Sequence, residues 1–138
     1  MKIYIFYDGI NYRIKQSKKV KYLIEKVIRE ENKIPGDLNF IITNDRKLRK
    51  INVEFLNNNY FTDVIAFNNS KNDIVSGEVY ISKDTVKKNA FNYEVSLRSE
   101  IVRVIVHGTL HLCGYEDNTE RKKNAMRKLE DKWIIEVA

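Results

Sequence analysis

Residues 101–117 read IVRVIVHGTLHLCGYED, and the rest of the chain can be organised around this stretch. Its apolar residues belong to a helical pattern that extends over roughly 95–113, and Gly114 then supplies the glycine that commonly ends a helix. The two histidines of the protein, His107 and His111, are four residues apart. Positions i and i+4 lie on one face of a helix, so the stretch predicts a helix that presents both imidazoles on the same side.

A carboxylate completes this pattern, because Asp117 follows Gly114 by three residues. The spacing H-x-x-x-H-x-x-G-x-x-[H/D] is typical of zinc sites in which the chain turns sharply after a helix to return a third ligand. Two neutral imidazoles and a carboxylate suit zinc and leave a fourth position for water or substrate, and zinc lowers the pKa of such a water toward about 7. We predict a metal-binding and catalytic site with one Zn²⁺ at His107, His111 and Asp117. The alternative is a pair of ordinary buried histidines.

One residue type is missing from the pattern. A zinc peptidase of this geometry places glutamate directly after the first histidine as its general base, whereas this chain has Gly108. Without that carboxylate, a peptidase has no obvious group to activate water and transfer its proton. The sequence therefore disfavours peptide hydrolysis.

Length and composition restrict the classes of protein further. The chain has 138 residues and a mass of 16.4 kDa, which predicts one domain over 1–138 with a single core. Hydrophobic residues make up 43% and charged residues 32%, as in soluble globular proteins and unlike disordered ones. The single cysteine fits a reducing compartment. The chain starts like a strand, not a signal peptide, and contains no membrane-length apolar stretch, so we expect a cytoplasmic protein without a membrane partner.

Strands are predicted mostly in the first two-thirds of the chain, and helices dominate the last third. The predicted strands are 2–7, 38–42, 64–67 and 77–81, and the predicted helices are 17–30, about 45–55, 83–91 (capped by Ser82), 95–113 and 119–136. Pro35-Gly36 is expected to form a turn. The pattern predicts an α+β fold in which one mixed sheet of about four strands is covered by helices. The metal site would lie on the penultimate helix and the following loop.

The net charge is positive. Lysine and arginine total 25 against 19 acidic residues, which gives +6 and a pI near 9.3. A basic small domain is compatible with nucleic-acid binding through phosphate contacts and counterion release.

Four segments, in order along the chain, resemble one known family. HGTLHLCGYED at 107–117 is similar to the HGxLHLxGYDH signature of the YbeY family of zinc-dependent endoribonucleases. TDVIAF at 62–67 resembles the TDVLSF segment of that family, and GEVYIS at 77–82 resembles its GDI-x-IS strand. KKNA at 87–90 is similar to the run that follows that strand. The resemblance extends over nearly the whole chain.

This resemblance implies a fold, an activity and partners. The fold would be α+β, with zinc held by His107, His111 and a third residue. The activity would be single-strand-specific cleavage in ribosomal RNA processing, notably at the 3′ end of the small-subunit RNA, together with ribosome quality control. Implied partners are ribosomal RNA and the small ribosomal subunit, with a small-subunit ribosomal protein and a ribosome-assembly GTPase.

The chain departs from the family pattern at two positions. The third histidine of the family aligns with Asp117, which makes the ligand set more negative by one charge and weakens the Lewis acidity of the ion. The family also has an arginine six residues before the threonine of TDVLSF, where this chain has Leu56. We therefore consider Arg49, Arg98 and Arg103 as candidates for contacting RNA phosphates.

Other side chains near the motif have predicted roles. Asp63 is expected to hydrogen-bond a ligand histidine, as metal-bound imidazoles usually require, and Glu116 to act as an outer-shell base. Cys113 is read as a buried structural residue. Tyr60 and Phe61 are candidates for stacking on RNA bases. For each of these residues a structural or solvent-exposed role is the alternative.

Two other functions remain open. One is a zinc hydrolase acting on peptides or small molecules, which the residue at position 108 disfavours. The other is a non-catalytic ribosome-assembly factor whose zinc only stabilises the fold, which the leucine at position 56 favours.

Overall fold

Strands and helices occupy most of the chain in the computed structural model, which describes residues 2–58 and 62–137. The strands are β1 (Lys2–Tyr7), β2 (Ile34–Thr43), β3 (Val64–Asn68) and β4 (Ile74–Ser82). The helices are α1 (Ser17–Glu30), α2 (Asp45–Leu56), α3 (Lys83–Asn92), α4 (Leu97–Leu112) and α5 (Glu120–Ile134), followed by a short 3₁₀ helix at Ile135–Val137. In this described part of the chain no helix is both long enough and apolar enough to cross a bilayer.

The four strands form one mixed sheet in the order β1-β2-β4-β3. β1, β2 and β4 are parallel, and β3 pairs antiparallel with β4. The parallel strands are joined through helices, as parallel pairing requires. The predicted α+β fold with a four-stranded mixed sheet is confirmed.

One face of the sheet packs against α1 and α4 and forms the core. Alternate residues of the central strands point into it, as the period of two along a strand requires. These residues are Leu38, Phe40 and Ile42 on β2, and Val75, Val79 and Ile81 on β4. α1, which covers the predicted range 17–30, contributes a buried apolar stripe of Val20, Leu23, Ile24, Val27 and Ile28. α4 is buried on most of its circumference, which fits its position against both the sheet and the neighbouring helices.

Polar side chains cap the starts of four helices. The side chains of Asn44, Ser82, Ser96 and Thr119 each accept a hydrogen bond from a backbone N–H in the first turn of α2, α3, α4 and α5 respectively. Each such cap contributes about 1 kcal/mol to stability. The prediction of Ser82 as a cap is confirmed, and Ser96 explains why α4 begins at Leu97 and not at the predicted residue 95.

The predicted turn at Pro35-Gly36 is wrong, because these residues belong to β2. The strand begins at Ile34, and its register against β4 shifts between Pro35 and Leu38. Such an irregularity accommodates proline, which has no N–H to donate, within a strand that continues on both sides.

A glycine lets α4 approach β4 closely. A Cβ atom built on Gly108 would lie only 2.6 Å from Cγ1 of Val79, so the helix backbone contacts the sheet directly at this level. This contact fixes the height and rotation of the helical turn that carries His107. It also shows that residue 108 faces the sheet, where a glutamate would have no room.

Candidate metal centre

The two imidazoles and the Asp117 carboxylate converge on one point. The Nε2 atoms of His107 and His111 lie 3.0 Å apart. Oδ2 of Asp117 lies 3.3 Å from Nε2 of His107 and 3.5 Å from Nε2 of His111. Among the described residues, these three form the one cluster of histidine, cysteine, aspartate and glutamate side chains with the spacing of a metal site.

A tight turn after α4 returns Asp117 to the histidines. The N–H of Tyr115 donates to the carbonyl of Leu110 (3.0 Å), and the N–H of Gly114 donates to the carbonyl of His111 (3.0 Å). This is the Schellman pair of hydrogen bonds, with glycine in its usual position. Gly114 has φ +107°, a conformation that residues with a side chain rarely adopt. The glycine break therefore reverses the chain within three residues of the last ligand histidine.

The other ring nitrogen of each histidine is held by a hydrogen bond. Nδ1 of His107 lies 2.7 Å from Oε2 of Glu130, and Nδ1 of His111 lies 2.9 Å from the carbonyl oxygen of Tyr115. A carbonyl and a carboxylate only accept, so the proton of each neutral ring is on Nδ1 and the lone pair is on Nε2. Metal-binding histidines are oriented in this way by carboxylate and carbonyl partners.

This donor set fits a small divalent cation. Two nitrogen lone pairs and a carboxylate oxygen face one another without a proton between them when both rings are neutral, an arrangement that a cation stabilises. Ligands at about 2.0–2.1 Å from a tetrahedral zinc ion lie roughly 3.3 Å from one another. The separations of 3.0, 3.3 and 3.5 Å bracket that value. The cluster could therefore hold a metal ion without rearranging.

Glu130, on α5, links the site to a network that the sequence reading missed. It is buried, with 6% of its surface exposed, and its other carboxylate oxygen lies 3.2 Å from Nη1 of Arg103. Arg103 also pairs with Asp131 (2.6 Å) and lies 3.8 Å from Glu100. A signal for Glu130 does exist in the sequence: with Met126 and Trp133 it forms the buried stripe of α5, and a carboxylate in such a stripe needs a partner.

The surroundings of His107 favour positive charge. Burial alone would lower the pKa of His107, but the hydrogen bond and charge of Glu130, followed by the charges of Asp117 and Asp63, outweigh burial and raise it. Burial raises the pKa of Asp63, and the charge of His107 opposes that rise. A proton on the imidazole and a metal ion therefore compete for the same place.

The two acids predicted to support the site lie in different environments. Asp63 precedes β3, and its side chain lines the walls around His107. The hydrogen bond from a histidine that we predicted Asp63 to accept is, at His107, accepted by Glu130 instead. Glu116 is exposed and accepts a hydrogen bond from Lys122 (2.8 Å). This hydrogen bond, followed by the charge of Lys122, lowers the pKa of Glu116. Of the two, the structure brings only Asp63 into the site.

Two cavities border the cluster. One, of about 220 Å³, extends between α3, α4 and α5, and the other, of about 410 Å³, extends toward β3. Both are lined by Asp63, His107 and Asp117. His107 and Asp117 therefore border both cavities, whereas His111 lines only the larger one.

Comparison with known proteins identifies the family to which the chain belongs. The family model described as "Endoribonuclease YbeY" matches residues 9–138. The chain belongs to the YbeY family. The matched range contains the histidine pair, the turn and Asp117, as well as the helix that carries Glu130.

Curated relatives support the YbeY assignment over most of their length. The chain is 37% identical over 129 residues to "Endoribonuclease YbeY" of Christiangramia forsetii, covering 94% of this chain and 90% of the relative. It is 34% identical over 134 residues to the Porphyromonas gingivalis protein of the same name, covering 97% and 89%. A solution structure of a Thermotoga maritima protein is also similar, with a TM-score of 0.67 and 28% identity over 98% of this chain and 88% of that one.

The arginines predicted to replace the YbeY-family arginine lie in three different places. Nε of Arg98 donates to the carbonyl of Lys15 (3.2 Å) and Nη1 to the carbonyl of Val137 (2.5 Å), so this side chain connects the start of α1 to the C-terminal end. Arg49 lines a separate cavity on α2. Of the three candidates, the structure places only Arg103 in a cavity with His107 and Asp117, where acidic side chains surround it.

The structure describes residue 56, where the resemblance to the family would place an arginine, but not all of the segment that follows it. Leu56 is the last residue of α2, with 45% of its surface exposed, so an uncharged side chain stands at that helix end. The two stacking candidates that follow, Tyr60 and Phe61, lie outside the described residues.

Proposed function

We propose that this protein is a zinc-dependent endoribonuclease that cleaves single-stranded regions of ribosomal RNA, with the metal held by His107, His111 and Asp117. The observation that carries the proposal is the convergence of two imidazole lone pairs and a carboxylate, with 3.5 Å as the longest separation, in a chain that the YbeY family model matches. The same ligand set without the family would be compatible with several hydrolases.

Within this proposal, residues around the site orient the metal ligands and line the cavities next to them. When bound, zinc supplies Lewis acidity to the scissile phosphodiester. Glu130 and the carbonyl of Tyr115 keep both imidazoles in the tautomer that presents Nε2 to the site. Asp63 adds a carboxyl to the wall shared by both cavities, where it serves as an outer-shell acid or base for the bound strand.

Membership of the YbeY family supports a proposal for the biological setting. We propose action on the small-subunit ribosomal RNA, at its 3′ end and in ribosome quality control, in the cytoplasm. The small ribosomal subunit, one of its proteins and a ribosome-assembly GTPase are the proposed partners. No step requires a membrane.

A paired cleavage assay tests the proposal. Wild-type protein and His111→Ala are purified identically, and each is incubated with a fragment of small-subunit ribosomal RNA. We expect cleavage by the wild type alone, with circular dichroism showing that the variant is folded. Equal cleavage by both would indicate a contaminating ribonuclease, and no cleavage by either would favour a non-catalytic zinc-stabilised assembly factor. Casein in parallel tests the peptidase alternative, for which residue 108 leaves no space for a base.

A further inference from the structure

We propose that Lys123 and Arg127 on α5, together with Tyr93 at the end of α3, form a track that guides one RNA strand into the metal centre. This inference rests on the proposed function and names residues that would contact the RNA substrate at the same metal centre. It assigns to α5 the phosphate-binding role that Arg49, Arg98 and Arg103 were predicted to fill.

The position of these residues connects them to the site. Lys123 and Arg127 are four residues apart and therefore lie on one face of α5. Both line the cavity of about 220 Å³ that also contains His107 and Asp117. This face of α5 therefore borders the same cavity as His107 and Asp117.

The charges of the track are available to a ligand, whereas those deeper in the cavity are not. Arg103 in the same cavity is paired with Glu130 and Asp131. Lys123 and Arg127 are exposed, and no carboxylate in the described part of the chain (2–58 and 62–137) lies within 4.0 Å of either charge. Two exposed cations one helical turn apart match the repeating negative charge of a nucleic-acid backbone.

An aromatic ring beside these cations favours a single strand over a duplex. Tyr93 lines the same cavity with 55% of its surface exposed, and the guanidinium carbon of Arg127 lies 5.9 Å from the centre of its ring. Exposed rings next to positive charge bind unpaired bases by stacking, which is available only where a base is not held in a helix. Asn89, which also lines the cavity, adds an amide that can hydrogen-bond a base or sugar.

Binding to an intact strand provides the test. The probe is a short, unstructured, fluorescently labelled oligoribonucleotide, and every variant carries His111→Ala so that the probe is not cut. Each phosphate contact contributes about 0.7 to the slope of log K against log salt for single strands. Replacing Lys123 and Arg127 by alanine should therefore reduce the slope by about 1.4. The affinity lost by this double variant relative to its parent should then be roughly 25-fold greater at about 0.1 M salt than at about 1 M.

A matched double variant removes the same charge from elsewhere on α5. Arg121 and Lys128 are exposed on α5, and neither lines the cavities that contain the metal ligands. Replacing both by alanine should leave affinity within about twofold of the parent and the salt slope nearly unchanged. Equal losses in both double variants would overturn the proposal, since net charge alone would then explain binding, and so would a Lys123→Ala/Arg127→Ala variant that binds like its parent.

Tyr93 has its own control. Tyr93→Ala should weaken binding about 5-fold to 150-fold, the range expected for the loss of one stacked base, and Tyr93→Phe should retain affinity. Phe91→Ala is the matched change, because Phe91 is exposed two residues away and lines a different cavity. A Tyr93→Ala variant that binds as well as Phe91→Ala would remove the stacking part of the proposal. Since binding is read without cleavage, these outcomes are distinct from failure of the nuclease assay.

Discussion

Replacing Glu130 by glutamine should weaken metal binding without removing any ligand. The carboxylate of Glu130 lies 2.7 Å from Nδ1 of His107 and keeps the lone pair of that ring on Nε2. Glutamine preserves the shape of the side chain but removes its charge, and its amide no longer favours a single ring orientation. Partners of this kind typically contribute 10-fold to 100-fold to metal affinity, about 1.4–2.7 kcal/mol.

The change should be visible in both binding and melting. At saturating metal, the stabilisation by the ion falls by the same 1.4–2.7 kcal/mol, roughly 4–10 °C in Tm for a chain of this size. Zinc affinity is measured by competition with a chromogenic chelator, and melts are recorded with and without metal. The metal-dependent part of Tm is then separated from any effect on the metal-free protein.

Asp131→Asn provides the control for Glu130→Gln. Asp131 is the other strong partner of Arg103, at 2.6 Å, but its side chain is 57% exposed and makes no contact with His107 in the described structure. We expect its metal affinity to match that of the wild type. Unchanged affinity in Glu130→Gln, or equal losses in both variants, would refute the reasoning that Glu130 orients the ligand.

Two substitutions and one chemical modification test the local structure. Gly108→Ala should lower the free energy of unfolding by about 1–3 kcal/mol in a denaturant titration, because the added methyl group would lie 2.6 Å from Val79 and force the helix from the sheet. Stability equal to that of the wild type would contradict the close approach. Gly114→Ala should cost about 1–2 kcal/mol through its φ of +107° alone, since open space surrounds the new methyl group, and should also weaken zinc binding in the chelator assay. Burial raises the pKa of Cys113 to about 12, so about one thiol in ten thousand is ionised at pH 8. Alkylation of the native protein should therefore be at least about a thousandfold slower than after unfolding, with or without zinc; protection by zinc alone would make Cys113 a ligand.

The clustering of His107, His111 and Asp117 was predictable because the three residues are close in sequence. Two histidines at i and i+4, a helix-ending glycine and a spaced carboxylate define their own geometry once the helix is recognised. Glu130 was not predicted because its contact with His107 depends on how α5 packs against α4. Only its place in an otherwise apolar stripe indicates that it needs a partner.

Helical geometry also explains which arginines reach the site. Arg98 precedes His107 by nine residues, and at about 100° per residue the two lie on opposite sides of α4. Arg103 precedes His107 by four residues and shares its face, but the sequence does not show that three acidic side chains surround it. The sequence also does not show that Lys123 and Arg127 line the cavity, because this depends on how α5 packs against α4.

Metal reconstitution of the wild type and of two variants at position 117 tests the central claim most directly. Wild type, Asp117→Ala and Asp117→His are stripped with a chelator, and cleavage of a ribosomal RNA fragment is followed before and after adding one equivalent of zinc. We predict no cleavage by any stripped protein, recovery by the wild type and by Asp117→His, and no recovery by Asp117→Ala. Cleavage by the stripped wild type, or full recovery by Asp117→Ala, would contradict a nuclease whose metal is held by His107, His111 and Asp117.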